Sequence, residues 1–154
     1  PGEGTTFRIF LPAHDVDPNE EDRGDAATSA SPRGHGETVL LVEDGRRLRE
    51  AARGILESLG YRVLTAADGR DALDVYRAEG HVDLVITDMV MPHMSGEALM
   101  RELRRSDPDL EALGITGYAV EDIADDMRTL GFVDLVRKPF GADQLARAVR
   151  SALD

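Results

Sequence analysis

Five residues could do chemistry together if the fold brings them to one place. They are the adjacent acids Glu43 and Asp44, the acid Asp88, the hydroxyl of Thr116 and the ammonium of Lys138. Each stands at or just after the end of a short apolar run. Three carboxylates brought close repel, and one is forced to take up a proton unless a cation intervenes. A hard divalent cation with oxygen ligands relieves that repulsion, and Mg²⁺ prefers one or two carboxylates together with water and a phosphate. The same ion neutralises charge on a phosphoryl group in transit. A carboxylate can itself be the nucleophile, giving an aspartyl-phosphate. Lys138 could then meet a phosphoryl oxygen as a point charge, and Thr116 could donate a hydrogen bond to another.

Taken singly, each residue has an ordinary reading. Asp88 alone caps a turn, Glu43-Asp44 alone is a solvated loop edge, Thr116-Gly117 is a turn and Lys138-Pro139 is a strand exit. The chemistry rests on the set. One count sharpens it: of 18 basic residues, 17 are Arg and Lys138 is the single Lys. Codon bias with one survivor is the bland explanation. The alternative is a site that needs a compact ammonium where a planar fork would not serve.

The elements that would position these residues can be read from periodicity. Apolar runs occur at 38–42, 61–66, 82–87, 111–116 and 132–136, each bounded by charged or turn residues. Near-continuous apolar runs fit strands buried on both faces of a parallel sheet. Helical spacing fills the gaps, with Leu48, Ala52, Ile55 and Leu59 on one face, then Val120, Ile123, Met127 and Leu130, then Leu145, Ala148, Val149 and Ala152. Asp68 with Asp71 predicts the start of the second helix, and Ser95 predicts the start of the third. Five β-then-α units imply an α/β fold, an open parallel sheet with helices on both faces. In the flavodoxin-like (βα)5 strand order 2-1-3-4-5, the first and third strands are neighbours. Ligands in such sheets bind beyond the carboxyl ends of the strands. Glu43, Asp44 and Asp88 would converge there.

Composition sets the outer limits. The chain has 154 residues, 42% of them apolar, which suits one domain with a flank. It has no Cys, hence no disulfide framework, thiolate chemistry or Cys-based zinc site. The net charge of −12 leaves no basic footprint for nucleic acid, so no nucleic-acid partner is expected. No apolar run approaches the ~18 residues of a membrane helix, and the start lacks a signal-peptide pattern. Neither membrane contact nor secretion is expected, and a cytoplasmic location is the default. The four His (His14, His35, His81, His93) have no ligand spacing, and Met89, Met91 and Met94 around Pro92 read as packing and loop shape.

Three stretches differ in composition. Residues 1–12 hold a short strand-like run from Thr5 to Leu11. Residues 13–37 are rich in Asp, Glu, Gly, Ser and Pro, with Val16 their only large aliphatic, and read as an acidic disordered linker. Residues 38–154 form the regular domain.

Over 38–154 the chain resembles the receiver domains of two-component signalling. The matching pieces are LLVEDG at 40–45, ITDMVMPHMSG at 86–96, ITGYA at 115–119 and RKPF at 137–140. The resemblance implies that Asp88 is the phosphoacceptor in a two-component phosphorelay. It implies Asp44 as the main acidic Mg²⁺ ligand, with Glu43 acting largely through water, Asp88 itself a ligand, and the Val90 backbone carbonyl completing the protein ligands. Mn²⁺ would be able to substitute. Thr116 and Lys138 would contact the phosphoryl group, and a cis peptide would precede Pro139. The implied partner is a phosphohistidine, on a kinase dimerisation domain or on a separate phosphotransfer protein. Such a fragment transfers to itself and slowly hydrolyses, without being an enzyme on other substrates.

PGEGTTFRIFLP at 1–12 resembles the last turn and strand of a histidine-kinase ATP-binding domain. Kinase tail, linker, then receiver is the order of a hybrid histidine kinase, whose parent chain could be membrane-anchored. The fragment itself should neither bind ATP nor autophosphorylate, because no His lies in a His-Glu phosphoacceptor motif.

Two departures from the receiver pattern stand out. Leu135 occupies the place, three before the lysine, where receivers carry Tyr or Phe, and Phe132 is bulkier than expected. Tyr118, two after Thr116, lies where it could tune hydrolysis. Two other functions fit parts of the pattern: a pseudo-receiver that docks without phosphorylation, and a Mg²⁺-dependent phosphohydrolase. The latter would want a second Asp two residues after Asp88, where Val90 stands.

Overall fold

The computed structural model describes residues 32–117 and 124–154. The strand expected within 1–12, most of the 13–37 stretch, His14, Tyr118, Val120 and Ile123 lie outside the described residues. Elements alternate in chain order: β1 (Thr38–Val42), α1 (Arg46–Ser58), β2 (Arg62–Ala66), α2 (Gly69–Glu79), β3 (Leu84–Asp88), α3 (Gly96–Leu103), β4 (Ala112–Thr116), α4 (Ala124–Thr129), β5 (Phe132–Arg137) and α5 (Ala142–Leu153). The described strands form one parallel sheet in the order β2-β1-β3-β4-β5, as expected.

The period of two along each strand divides the core between the two faces of the sheet. Val39 and Leu41 of β1 join Leu84, Ile86, Leu113 and Ile115 under α1 and α5, where Ala52, Leu56, Leu145 and Val149 are buried. Leu40 and Val42 point the other way. They join Val85 and Ala112 under Ala72, Leu99, Met100, Leu103 and Met127 from α2, α3 and α4. The central strands β1, β3 and β4 are therefore apolar on both faces, which is why they read as continuous runs.

Local chemistry sets the ends of the elements. Asp68 caps α2 by accepting from the amides of Arg70 and Asp71 at 2.8 and 3.0 Å, and Ser95 caps α3 by accepting from Ala98 N at 3.3 Å. The third strand starts at Leu84, two residues after the apolar run begins. Asp83 explains the offset, because its backbone amide donates to Thr38 O at 2.9 Å while its carboxylate accepts from Thr38 N at 2.7 Å. That exchange closes the β1–β3 ladder, leaving Val82 buried outside it at 1% exposure. Gly114 in β4 has a packing reason: Leu135 of β5 fills the space that a Cβ there would need.

Residues 32–37 fall in the stretch expected to be linker, and here they pack on the domain. Gly34 N donates to Leu59 O at 2.8 Å, and Arg62 N donates to Glu37 O at 2.9 Å. A Cβ on Gly34 would stand 2.6 Å from the Tyr61 ring, so only glycine lets the backbone lie against it. Arg150 of α5 donates to Glu37 Oε1 at 2.7 Å. Burial pushes the Glu37 carboxyl up, but the hydrogen bonds from Arg150 and from backbone amides outweigh it and hold it at about 2. These contacts form a clasp beneath the sheet, at the end opposite the carboxyl ends of the strands.

Candidate functional site

β1 and β3 are hydrogen-bonded neighbours, with Val42 opposite Thr87. The residues that follow β1, Glu43 and Asp44, therefore emerge beside Asp88, the last residue of β3. Each of the three acids offers a carboxylate oxygen, and these oxygens lie within 4.8 Å of one another. Glu43 and Asp88 are buried, at 3% and 6% exposure; Asp44 is exposed. Among the described residues this is the one such group with metal-ligand geometry. All its donors are oxygens, two held in the protein and one open to solvent, which suits a hard cation that keeps part of its water.

Lys138 enters from the other side. It follows β5, two strands from β3, and its amide donates to Thr116 O at 2.7 Å across the β4–β5 edge. Its ammonium donates to Asp88 Oδ2 at 2.6 Å and to Glu43 Oε2 at 2.8 Å. Burial pulls the Lys138 ammonium toward lower pKa, but its bonds to Asp88 and Glu43 outweigh it and hold it above the ordinary lysine value. Burial also dominates at Glu43, whose carboxyl is raised despite the nearby ammonium. Three carboxylates converge on one ammonium. The Lys138–Pro139 peptide is cis.

Backbone donors fix the second carboxylate oxygens of Asp88 and Glu43. Asp88 Oδ1 accepts from Val90 N at 3.0 Å, and Glu43 Oε1 accepts from Gly45 N at 3.1 Å. Val90 is 61% exposed, so the loop after Asp88 opens toward solvent. Thr116 ends β4 one residue beyond Ile115, the partner of Asp88 in the β3–β4 register, and is 1% exposed. The structure therefore brings Glu43, Asp44, Asp88 and Lys138 together by direct geometry. Thr116 joins by register, and Val90 through the loop that holds Asp88. His35, His81 and His93 are exposed. Met89 and Met91 are buried at 6% and 8%, serving as packing.

One residue at the site carried no signal in the sequence. Arg49, in the first turn of α1, donates from Nη1 to Glu43 O at 2.5 Å and lies 3.3 Å from Asp44 O. In the sequence it stands in the run Arg46-Arg47-Leu48-Arg49-Glu50, where an arginine is unremarkable.

Comparison with known proteins agrees with this geometry. Residues 39–150 match the response regulator receiver domain family. The sensor kinase CckA of Brucella abortus is 38% identical over 159 aligned positions, covering 99% of this chain and 17% of that protein. The chain thus spans about a sixth of that relative's length. Among solved structures, a receiver domain protein from Clostridium thermocellum aligns with a TM-score of 0.70 at 30% identity, covering 76% of this chain and 94% of that one. The response regulator TrrA of Thermotoga maritima, solved in complex with Mg²⁺-BeF, aligns with a TM-score of 0.66 at 31% identity, covering 76% of this chain and 99% of that one. A sheet of order 2-1-3-4-5, an acidic crevice between its first and third strands and a lysine reaching in from the fifth are thus found in a chain that belongs to the response regulator receiver family of two-component signalling.

Proposed function

We propose that Asp88 accepts a phosphoryl group from a phosphohistidine, with Glu43, Asp44, the Asp88 carboxylate and the Val90 carbonyl holding Mg²⁺. The observation that carries this reading is the 2.6 Å contact between Lys138 Nζ and Asp88 Oδ2 inside a cluster of three convergent acids. The donor set fits the ion, since it is all oxygen and its three carboxylates outnumber the one ammonium beside them. Mg²⁺, when bound, would neutralise charge on the phosphoryl oxygens.

The protein's own residues do the rest. An Asp88 carboxylate oxygen attacks phosphorus as the phosphorus–nitrogen bond of the donor imidazole breaks. The electron pair leaves on that nitrogen, which the donor side protonates. The Val90 amide fixes the rotamer of the Asp88 carboxylate beforehand. The Lys138 ammonium, released from Asp88 as the acyl phosphate forms, pairs with a phosphoryl oxygen, and the Thr116 hydroxyl donates to another. Hydrolysis runs the same centre with water as the nucleophile and returns Asp88.

The parent chain is a hybrid histidine kinase in this reading. The similarity to CckA covers 99% of the chain, whereas the receiver family accounts for residues 39–150. The extra coverage takes in the 1–12 segment that resembles the end of a kinase ATP-binding domain. No described helix is long and apolar enough to cross a membrane.

Transfer can be tested with a phosphotransfer protein labelled on histidine. Mixed with this chain and Mg²⁺, it should pass label to a bond that hydroxylamine cleaves, the signature of an acyl phosphate. Label that stays on the histidine, or that moves to a hydroxylamine-stable bond, would overturn the reading.

A further inference from the structure

The loop that carries Glu43 and Asp44 is held from behind. Its carboxylates face the crevice, while its carbonyls face α1, and carbonyls left without donors in a half-buried loop are costly. Arg49 meets both of them, donating to Glu43 O at 2.5 Å and approaching Asp44 O at 3.3 Å. Gly45, which caps α1, offers no side chain for the task. Arg49 is anchored in turn, because its own amide donates to Gly45 O at 2.9 Å. The guanidinium therefore links the two acids to the first turn of a rigid helix.

We propose that Arg49 is a positioning residue for the phosphoryl-transfer site: by clamping the backbone of Glu43 and Asp44 it holds their carboxylates in convergence with Asp88. The inference rests on the reading of that site as a Mg²⁺ centre. Arg49 bonds to the loop's carbonyls, not to its carboxylates. It acts through the loop, as the groups behind metal ligands commonly do, where their loss weakens affinity by about 10-fold or more.

The test is a calorimetric titration with Mg²⁺ alone, without a phosphodonor. Arg49→Met keeps the aliphatic stem and removes the donors; it should weaken Mg²⁺ binding by about 10-fold while the metal-free protein stays folded, with a thermal midpoint only a few degrees below wild type. Arg49→Lys keeps one charge and a shorter reach, losing the weaker contact to Asp44, and should fall between the two. In the metal-free state, the Gly45 amide should exchange faster in Arg49→Met than in wild type. If Arg49→Met binds Mg²⁺ as tightly as wild type, the clamp is overturned. Should Arg49→Met fail to fold, Arg49→Lys decides: weaker binding supports the clamp, and wild-type affinity overturns it. A wild-type chain that binds no Mg²⁺ overturns this inference and the proposed function together. A wild type that binds, with variants that bind equally, overturns only the role of Arg49.

Discussion

The Lys138 ammonium stands 2.6 Å from Asp88 Oδ2, although Asp88 ends β3 and Lys138 follows β5, with β4 between the two strands. The contact depends on side-chain type as well as reach. A compact ammonium with rotatable donors can bridge Asp88 and Glu43 and then turn to a phosphoryl oxygen. A planar guanidinium in the same space would present a fixed fork.

Lys138→Met should therefore slow phosphoryl transfer to Asp88 by about 100-fold at saturating Mg²⁺, the scale of losing one preorganised charge partner. Lys138→Arg should recover little of that. Initial rates of adduct formation with a small acyl phosphate measure both. A rate for Lys138→Arg near wild type would show that charge alone suffices.

Leu135 and Gly114 form a second matched pair. The leucine fills the space a Cβ on Gly114 would need, so the side chain at this position already lies inward against β4. Gly114→Ala should destabilise the fold by about 1–3 kcal/mol through overpacking. Combined with Leu135→Ala, it should cost at least ~1 kcal/mol less, because neighbours that share space are not additive. Urea unfolding of the two single variants and the double variant measures the coupling. Strict additivity would remove the pairing.

The clasp at residues 32–37 predicts a pH signature. Glu37 is depressed from 4.5 to about 2 in the folded protein, so its contribution is fully present above pH 4.5 and is lost as pH falls toward 2. Arg150 and Glu37 are 17% and 20% exposed at the side chain, which keeps screening partial. Glu37→Gln should lower stability by about 1 kcal/mol at neutral pH, and the gap to wild type should close near pH 2. Thermal melts across that range would show it. A pH-independent difference would assign the effect to packing instead.

Much of the site was legible in the sequence because strand ends coincide with the ends of apolar runs. Glu43, Asp44, Asp88, Thr116 and Lys138 sit at those boundaries, and one strand order makes the acids neighbours. The clasp was not legible. Gly34 and Glu37 have the composition of a linker, and their partners Tyr61 and Arg150 lie far along the chain, Arg150 by 113 residues. Nothing periodic connects them. Arg49 escaped for a different reason: its partners are backbone carbonyls, which have no residue type. The third strand was read two residues early, because Val82 is buried like a strand residue while Asp83 closes the ladder with its side chain.

The intact mass of the chain after incubation with a small acyl phosphate and Mg²⁺ tests phosphorylation of Asp88 most directly. Wild type should gain one phosphoryl group, lost again on addition of hydroxylamine, and neither Asp88→Asn nor wild type with excess chelator should gain any. An adduct that persists unchanged in Asp88→Asn, or no adduct on wild type, would contradict it.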